Sequence, residues 1–153
     1  MSIDSVKRQI EGYKRDIDRE KSAGMSGSLL DRLLLTPERI LGIATGARKV
    51  AALPDPLNQV LRERTLENGL HLKQVTVPFG VVGMVYEARP NVTVDAAVIL
   101  LASGNAALLR GSSSACESNA TLVKIMQDAL SKTTISADVI QLVPSEDRES
   151  VRA

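Results

Sequence analysis

The chain has 153 residues, of which 44% are hydrophobic and 24% charged, so its length and composition suit one globular domain with a real core. Its 19 basic and 18 acidic residues give a net charge of +1, which argues against binding to nucleic acid or an anionic membrane through overall charge. One cysteine and one histidine exclude an internal disulfide and a Cys/His metal cluster, and no apolar run reaches the roughly 18 residues of a membrane span. We therefore expect a cytoplasmic protein without a metal site.

Residues 1–58 predict a helical segment. Apolar residues in 4–21 recur at helical spacing, with charged residues of both signs on the opposite face. A short helix is expected over 28–34. A third helix should begin at Thr36-Pro37, with the threonine as N-cap and the proline at the first helical position, and end near residue 52.

Residues 59–77 predict a β-hairpin. Two extended runs flank Asn68-Gly69, which is the strongest local sequence signal for a tight hairpin turn. Neither face of the hairpin is cleanly apolar, which favours an edge or an arm used in association. The single histidine, His71, lies in this arm, where a structural role is favoured over a functional one.

Residues 78–153 read as alternating strands and helices, which predicts a parallel α/β sheet in a doubly wound order. Only four residues between Phe79 and Ala115 are charged, so we expect this run to be buried on several sides. The last helix would begin at Glu146 and have nothing to pack on, which suggests a piece of a longer protein. The expected elements are strands at 80–86, 106–110 and 139–143, and helices at 94–102 and 115–132.

A cation, backbone amides and three hydroxyls follow the second of these strands, in Arg110-Gly111-Ser112-Ser113-Ser114. Free amides at a helix start, together with an arginine, would bind an anion such as a phosphate. The alternative is a plain turn with a capping serine. The usual glycine-rich dinucleotide and P-loop patterns are absent from the sequence.

Glu87, Arg89 and Asn91 follow the first strand, where an open α/β sheet places binding groups. Arg89 could hold a carboxylate or phosphate, and Asn91 could donate to an oxyanion. The competing interpretation is an internal Glu87–Arg89 ion pair with Asn91, or Thr93, capping the next helix. Arg89 precedes a proline and should be extended.

Cys116 sits at a predicted helix N-terminus, where the pKa of a thiol is often lowered and a nucleophile is favoured. No histidine lies near it in the sequence. A small packed residue is therefore the better interpretation.

Three segments together resemble gamma-glutamyl phosphate reductase, also called glutamate-5-semialdehyde dehydrogenase, of the aldehyde dehydrogenase superfamily. They are Val77–Asp95, which contains Tyr-Glu-Ala-Arg-Pro-Asn, Gly104–Gly111 and Leu30–Thr36. The resemblance implies an incomplete doubly wound (Rossmann-like) sheet of the aldehyde dehydrogenase type. It also implies NADPH-dependent reduction of L-glutamyl 5-phosphate to glutamate 5-semialdehyde in proline biosynthesis.

The resemblance assigns roles to a few residues of this chain. Arg110, Gly111, Ser112 and Ser113 would bind the cofactor, with Arg110 at the adenosine ribose and Ser113 where NAD-preferring relatives carry a glutamate. Arg89 would contact an anionic substrate group, and Asn91 would cap or donate.

The resemblance also implies partners and limits. The hairpin is similar to part of the family's oligomerisation arm, and association with glutamate 5-kinase is expected. The family's Ser-Thr-Cys-Asn nucleophile segment is absent, so residues 78–153 would be a partial cofactor domain that is inactive alone. A non-catalytic nucleotide-binding or assembly module is the alternative.

Overall fold

The computed structural model describes residues 3–144, and the side chains of residues 12–144. The helix expected from Glu146 and the apolar side chains before residue 12 therefore lie outside the described residues. The helices are α1 Ile3–Ser22, α2 Gly27–Leu33, α3 Pro37–Ala51, α4 Pro90–Ala102 and α5 Cys116–Leu130, and the strands are β1 Val60–Thr65, β2 His71–Val75, β3 Val81–Val85, β4 Ala106–Arg110 and β5 Ile140–Leu142.

The N-terminal helices pack onto the α/β part of the chain. Helix α1 lies against α5, and α3 lies against α4. Ile17 of α1 is buried with Leu33 and Ala115 in one apolar cluster. The predicted start of α3 is confirmed, because Thr36 Oγ1 accepts a hydrogen bond from the Arg39 amide at 3.3 Å and Pro37 opens the helix.

The predicted hairpin is also confirmed. Strands β1 and β2 pair antiparallel, with Thr65 opposite His71 and an irregularity between Val60 and Arg62. Every residue of both strands is exposed. His71 Nδ1 lies 2.9 Å from Thr65 Oγ1, which is a cross-strand contact and fits the structural role expected for this residue.

The predicted parallel sheet is confirmed, with β4 between β3 and β5. The register places Met84 opposite Leu109, and Leu109 opposite Leu142. Helices α4 and α5 cover one face of the sheet. The main core lies there, built from Ala96, Ala97, Ala107, Leu109, Val123 and Ile140.

The expected burial of the apolar run on several sides is wrong for β3. Val81 is 72% exposed and Val85 60% exposed. Two successive right-handed crossovers between neighbouring parallel strands place both connecting helices on the same face. The opposite face, with Val81, Val85 and Leu108 adjacent in register, has no covering element among the described residues.

A buried asparagine joins the start of β3 to the end of α4. Asn105 Oδ1 accepts hydrogen bonds from the amides of Phe79 at 2.7 Å and Gly80 at 2.9 Å. Its Nδ2 donates to the carbonyl and hydroxyl of Ser103. Gly104 makes this corner possible with a φ of +75°, which L side chains rarely adopt. Within residues 3–144, no helix combines the length and apolarity that crossing a bilayer requires.

Candidate functional site

The two segments singled out from the sequence meet at the carboxyl edge of the sheet. Val85 and Arg110 are paired at the ends of β3 and β4, and the Tyr86 amide donates to the Arg110 carbonyl at 3.1 Å. The loop after β3 and the turn after β4 therefore lie side by side. In open α/β sheets this edge is the usual place for ligands.

The turn after β4 packs closely enough to require glycine at position 111. A Cβ added to Gly111 would overlap Asn119 Nδ2 and lie 3.2 Å from Asn119 Cγ and 3.1 Å from Tyr86 Cε2. Gly111 is buried, whereas Ser113 is exposed. In this turn the backbone of Gly111 is therefore closely packed, whereas Ser113 is exposed to solvent.

A buried polar chain supports this turn from below. Tyr86 OH lies 2.7 Å from Thr93 Oγ1, and Thr93 Oγ1 donates to Asn119 Oδ1 at 2.8 Å. Thr93 and Asn119 are essentially inaccessible to solvent. Burial raises the pKa of Tyr86, and its bond to Thr93 only partly opposes that shift, so the phenol stays protonated. These hydrogen bonds connect the end of β3 to α4 and α5.

The expectation of free amides at the start of α5 is wrong for residues 114–118. The Glu117 and Ser118 amides donate to the carboxylate of Asp16 in α1, at 3.3 and 2.8 Å, and the Ser118 hydroxyl donates to it at 2.7 Å. Asp16 is 1% exposed and acts as a helix cap supplied by another helix. The three preceding amides donate within the turn itself. The Ser114 amide donates to the Ser112 hydroxyl, the Ala115 amide to the Ser112 carbonyl, and the Cys116 amide to the Ser113 carbonyl.

Arg19 connects this buried carboxylate to the turn. Its Nη2 donates to Asp16 Oδ1 at 2.8 Å and to the Ser113 carbonyl at 2.9 Å. Neither contact could be predicted from the sequence, since Asp16 and Arg19 resemble any charged pair on a solvated helix face. Arg19 and Asp16 are three residues apart on one helix, but Ser113 is 94 residues from Arg19, so only the tertiary structure reveals that contact.

Cys116 is partly buried, which fits the packed residue favoured from the sequence. Its Sγ lies 3.7 Å from Asp16 Oδ1. Burial, and then the negative charge of Asp16, raise the pKa of Cys116, and nearby Arg19 only partly counteracts them. Both the nearby Asp16 carboxylate and the direction of this shift argue against the alternative of a helix-terminus nucleophile with a lowered pKa.

A cavity of about 530 Å³ opens where α2, α3 and the start of α4 meet. Arg39 lines this cavity and is already paired, because both Asp31 carboxylate oxygens accept hydrogen bonds from Arg39 Nη2, at 3.0 and 3.2 Å. Arg32 forms an exposed ion pair with Glu87 at 3.6 Å. The internal Glu87–Arg89 pair considered from the sequence is thus wrong, since Glu87 turns to α2 instead.

Arg89 and Asn91 line this cavity at the start of α4. Arg89 is extended, as expected before proline, with φ −136° and ψ 95°. The cap expected from Asn91 or Thr93 is wrong, because the helix begins at Pro90 with no side-chain cap, and Asn91 Nδ2 donates to Asp95 Oδ2 at 3.3 Å. Among the described residues, no side-chain hydrogen bond or ion pair engages the Arg89 guanidinium.

A recess of about 270 Å³ lies beside the turn on the side of β5. Gly111, Cys116 and Asn119 line one wall, and residues 142–144 line the other. In the part of the chain that the structure describes, no cluster of three His, Cys, Asp or Glu side chains could hold a metal ion.

No family model matches this chain, but several solved structures do, and two of them are described here. Gamma-glutamyl phosphate reductase from Thermotoga maritima matches with a TM-score of 0.93 and 36% identity, over 97% of this chain and 36% of that one. Gamma-glutamyl phosphate reductase from Saccharomyces cerevisiae matches with a TM-score of 0.83 and 30% identity, over 96% of this chain and 41% of that one. The chain thus spans well under half the length of either structure. Over that length, its sequence and fold match part of gamma-glutamyl phosphate reductase, which confirms the resemblance predicted from the sequence.

Proposed function

We propose that this chain forms the NADPH-binding and substrate-facing part of an enzyme that reduces L-glutamyl 5-phosphate to L-glutamate 5-semialdehyde. The observation that carries the proposal is the meeting of two features at one sheet edge. The turn after β4 and the cavity at Arg89 are joined through the backbone pairing of β3 with β4. The two solved structures described above are gamma-glutamyl phosphate reductases, which supports this interpretation.

The cofactor would lie with its adenosine end at Arg110, Gly111, Ser112 and Ser113. The residues present fit such a group, because Gly111 has no side chain to block an approaching ligand, Ser113 is exposed, and a recess of about 270 Å³ opens beside Gly111. A hydroxyl at Ser113 would donate a hydrogen bond to a neighbouring 2′-phosphate, whereas a carboxylate would repel it. When bound, the nicotinamide supplies hydride; the residues of this chain bind and orient the adenosine end.

The substrate would present an anionic group to Arg89. This guanidinium lines a cavity of about 530 Å³ beside two arginines that already have carboxylate partners. Arg89, whose guanidinium has no carboxylate partner among residues 12–144, lies next to the amide of Asn91 and suits a carboxylate or phosphate through charge-assisted hydrogen bonds. Arg89 thus binds and orients, and the negative charge is held near the sheet edge where the cofactor turn lies.

The chain alone would bind cofactor and substrate without catalysing the reduction. Its only thiol, Cys116, has a raised pKa and lies against the buried Asp16 carboxylate, so it supplies no thiolate for attack on an acyl phosphate. A purified chain that reduced an acyl phosphate with NADPH would overturn this part of the proposal.

The hairpin favours an additional role in self-association. A two-stranded hairpin with both faces exposed has little stability of its own. Leu61, Leu70 and Leu72 are 58, 53 and 37% exposed on it. We propose that β1 and β2 contact a second copy of the chain. Sedimentation of wild type and Leu61→Glu tests this, and an unchanged mass distribution would contradict it.

Two titrations test the binding proposals separately. NADPH should saturate the wild-type chain at one site, and Arg110→Ala should bind it about tenfold or more weakly, as expected for a charge-assisted contact. Arg62→Ala, an exposed arginine of the hairpin, serves as the control. Equal binding by Arg110→Ala and wild type would remove Arg110 from the cofactor site.

The second titration uses a stable phosphonate analogue of L-glutamyl 5-phosphate. Arg89→Ala should weaken binding of the analogue, and Arg48→Ala, which removes an exposed arginine of α3 outside the cavity, should not. An analogue that binds Arg89→Ala as tightly as wild type would exclude Arg89 from the substrate site.

A further inference from the structure

Arg19 lies at the turn proposed for the cofactor, although it belongs to a distant helix. Its Nη2 reaches the Ser113 carbonyl at 2.9 Å and Asp16 Oδ1 at 2.8 Å. Its Nε reaches Glu20 Oε1 at 3.4 Å. Since α1 packs against α5, the guanidinium is carried to the same turn that follows β4.

Not all N–H donors of the Arg19 guanidinium are used by the contacts just named. Of its five N–H groups, two on Nη2 and one on Nε face the partners just named. Among the described residues, no carboxylate, carbonyl or hydroxyl oxygen accepts a hydrogen bond from Nη1, although the Cys116 thiol also lies beside the guanidinium. The Arg19 side chain is 43% exposed, so a ligand lying on the turn could reach these donors.

The neighbouring carboxylates position the Arg19 guanidinium, and two of them have further partners of their own. Asp16 is 1% exposed, and its oxygens also accept from the Ser118 amide and hydroxyl and the Glu117 amide, so its charge is engaged by the N-terminus of α5. Glu20 lies beside Nε, and Glu117 pairs with Arg15 at 3.0 Å. These contacts hold the guanidinium in place, which lowers the cost of ordering it when a ligand binds.

We propose that Arg19 is a specificity-determining residue, whose Nη1 donors recognise the 2′-phosphate of NADPH at the Ser113 turn. The inference rests on the proposed cofactor site and adds to it a residue from outside the α/β part of the chain. A guanidinium suits phosphate because its paired N–H groups match the phosphate oxygens. Arg19 and Arg110 would then flank the turn from two different elements.

The competing role for Arg19 is purely structural, as the counter-ion of Asp16. The two roles differ in their effect on ligands with and without the 2′-phosphate. Loss of a structural counter-ion would weaken all adenine nucleotides alike. Loss of a phosphate contact would weaken only those that carry the 2′-phosphate.

The test compares NADPH with NADH, and 2′,5′-ADP with ADP, by titration of the 153-residue chain. Arg19→Ala should weaken NADPH and 2′,5′-ADP by about tenfold or more and leave NADH and ADP within about twofold. Arg19→Gln keeps donors and most of the length but removes the charge, and should show the same selective loss. Arg15→Ala, which removes an exposed arginine one turn earlier on α1, should change none of the four.

Each outcome bears on one of the two proposals. Equal losses for both members of a pair, or no loss for any ligand, would overturn the role given to Arg19. Should Arg19→Ala fail to give the wild-type circular dichroism spectrum, Arg19→Gln decides the matter alone. Wild-type chain that binds neither NADPH nor 2′,5′-ADP would overturn the cofactor site itself, and the inference with it.

Discussion

Replacing Gly111 by alanine should destabilise the chain through a clash at the cofactor turn. The new Cβ would overlap Asn119 Nδ2 and lie 3.2 Å from Asn119 Cγ. Asn119 cannot simply move away, because it is 1% exposed and its Oδ1 accepts the 2.8 Å hydrogen bond from Thr93. Either the turn shifts outward or the buried polar chain breaks.

The size of the effect follows from these two terms. Overpacking a well-filled interior costs about 1–3 kcal/mol. Breaking the Asn119–Thr93 bond adds about 1 kcal/mol or more, since both groups are buried and would lose a partner. We therefore expect Gly111→Ala to lower the free energy of unfolding by about 2–4 kcal/mol. Gly83→Ala is the matched control on the neighbouring strand, because a Cβ there would meet nothing within 4 Å.

Urea unfolding monitored by circular dichroism measures both variants. A double variant, Gly111→Ala with Asn119→Ala, separates the clash from other effects of the new methyl group. If the clash is with Asn119, the double variant loses less stability than the sum of the single variants, by about 1 kcal/mol or more. The reasoning is refuted if Gly111→Ala unfolds at the same urea concentration as Gly83→Ala.

Three further predictions concern residues whose side chains make specific contacts in the fold. Asp16→Ala should lower the free energy of unfolding in urea by about 2–4 kcal/mol, because it removes the cap of α5 and one of the partners of Arg19. Arg15→Ala, at an exposed ion pair, should cost about 1 kcal/mol or less, and equal costs would contradict the buried-cap assignment. Asn105→Ala should cost about 2–3 kcal/mol, since the Phe79 and Gly80 amides and Ser103 lose partners, and a Tm unchanged by this substitution would show that the corner does not depend on them. Cys116 should react with iodoacetamide more slowly than free cysteine at pH 7 to 8 and accelerate only at higher pH, because its raised pKa leaves little thiolate; fast alkylation at neutral pH would mean that the environment lowers the pKa instead.

The local elements of the fold could be predicted because their signals lie within a few residues. Asn68-Gly69 specifies a tight turn between two extended runs, and the observed strands pair across it. Thr36-Pro37 marks a helix start through a cap and a fixed φ, and α3 begins there. The alternation of strands and helices after residue 78 predicted the parallel order of β3, β4 and β5.

The contacts that shape the site could not be predicted in the same way, because their partners are distant in the sequence. Asp16 is 102 residues from Ser118, and nothing near either residue marks the pair. The result is that the sequence indicated free amides at the start of α5, whereas α1 had already supplied a carboxylate for two of them. Glu87 similarly pairs with Arg32 of α2 rather than with its neighbour Arg89.

The exposure of β3 shows a third kind of limit. An apolar strand is typical of burial on both faces, yet hydrophobicity does not say which element supplies the cover. Helices α4 and α5 cover only the face with Ala107 and Leu109, and Val81 and Val85 point to the other. Where the cover comes from depends on topology, which a strand's own sequence does not encode.

The most direct test of the central claim is an NMR titration of the ¹⁵N-labelled chain with NADPH. Binding at the proposed site should shift the amide signals of residues 110–114 and of Arg19 and leave the hairpin signals of residues 60–75 unchanged. Shifts that spare the turn, or a titration without saturable shifts, would contradict the assignment of this sheet edge as a cofactor site.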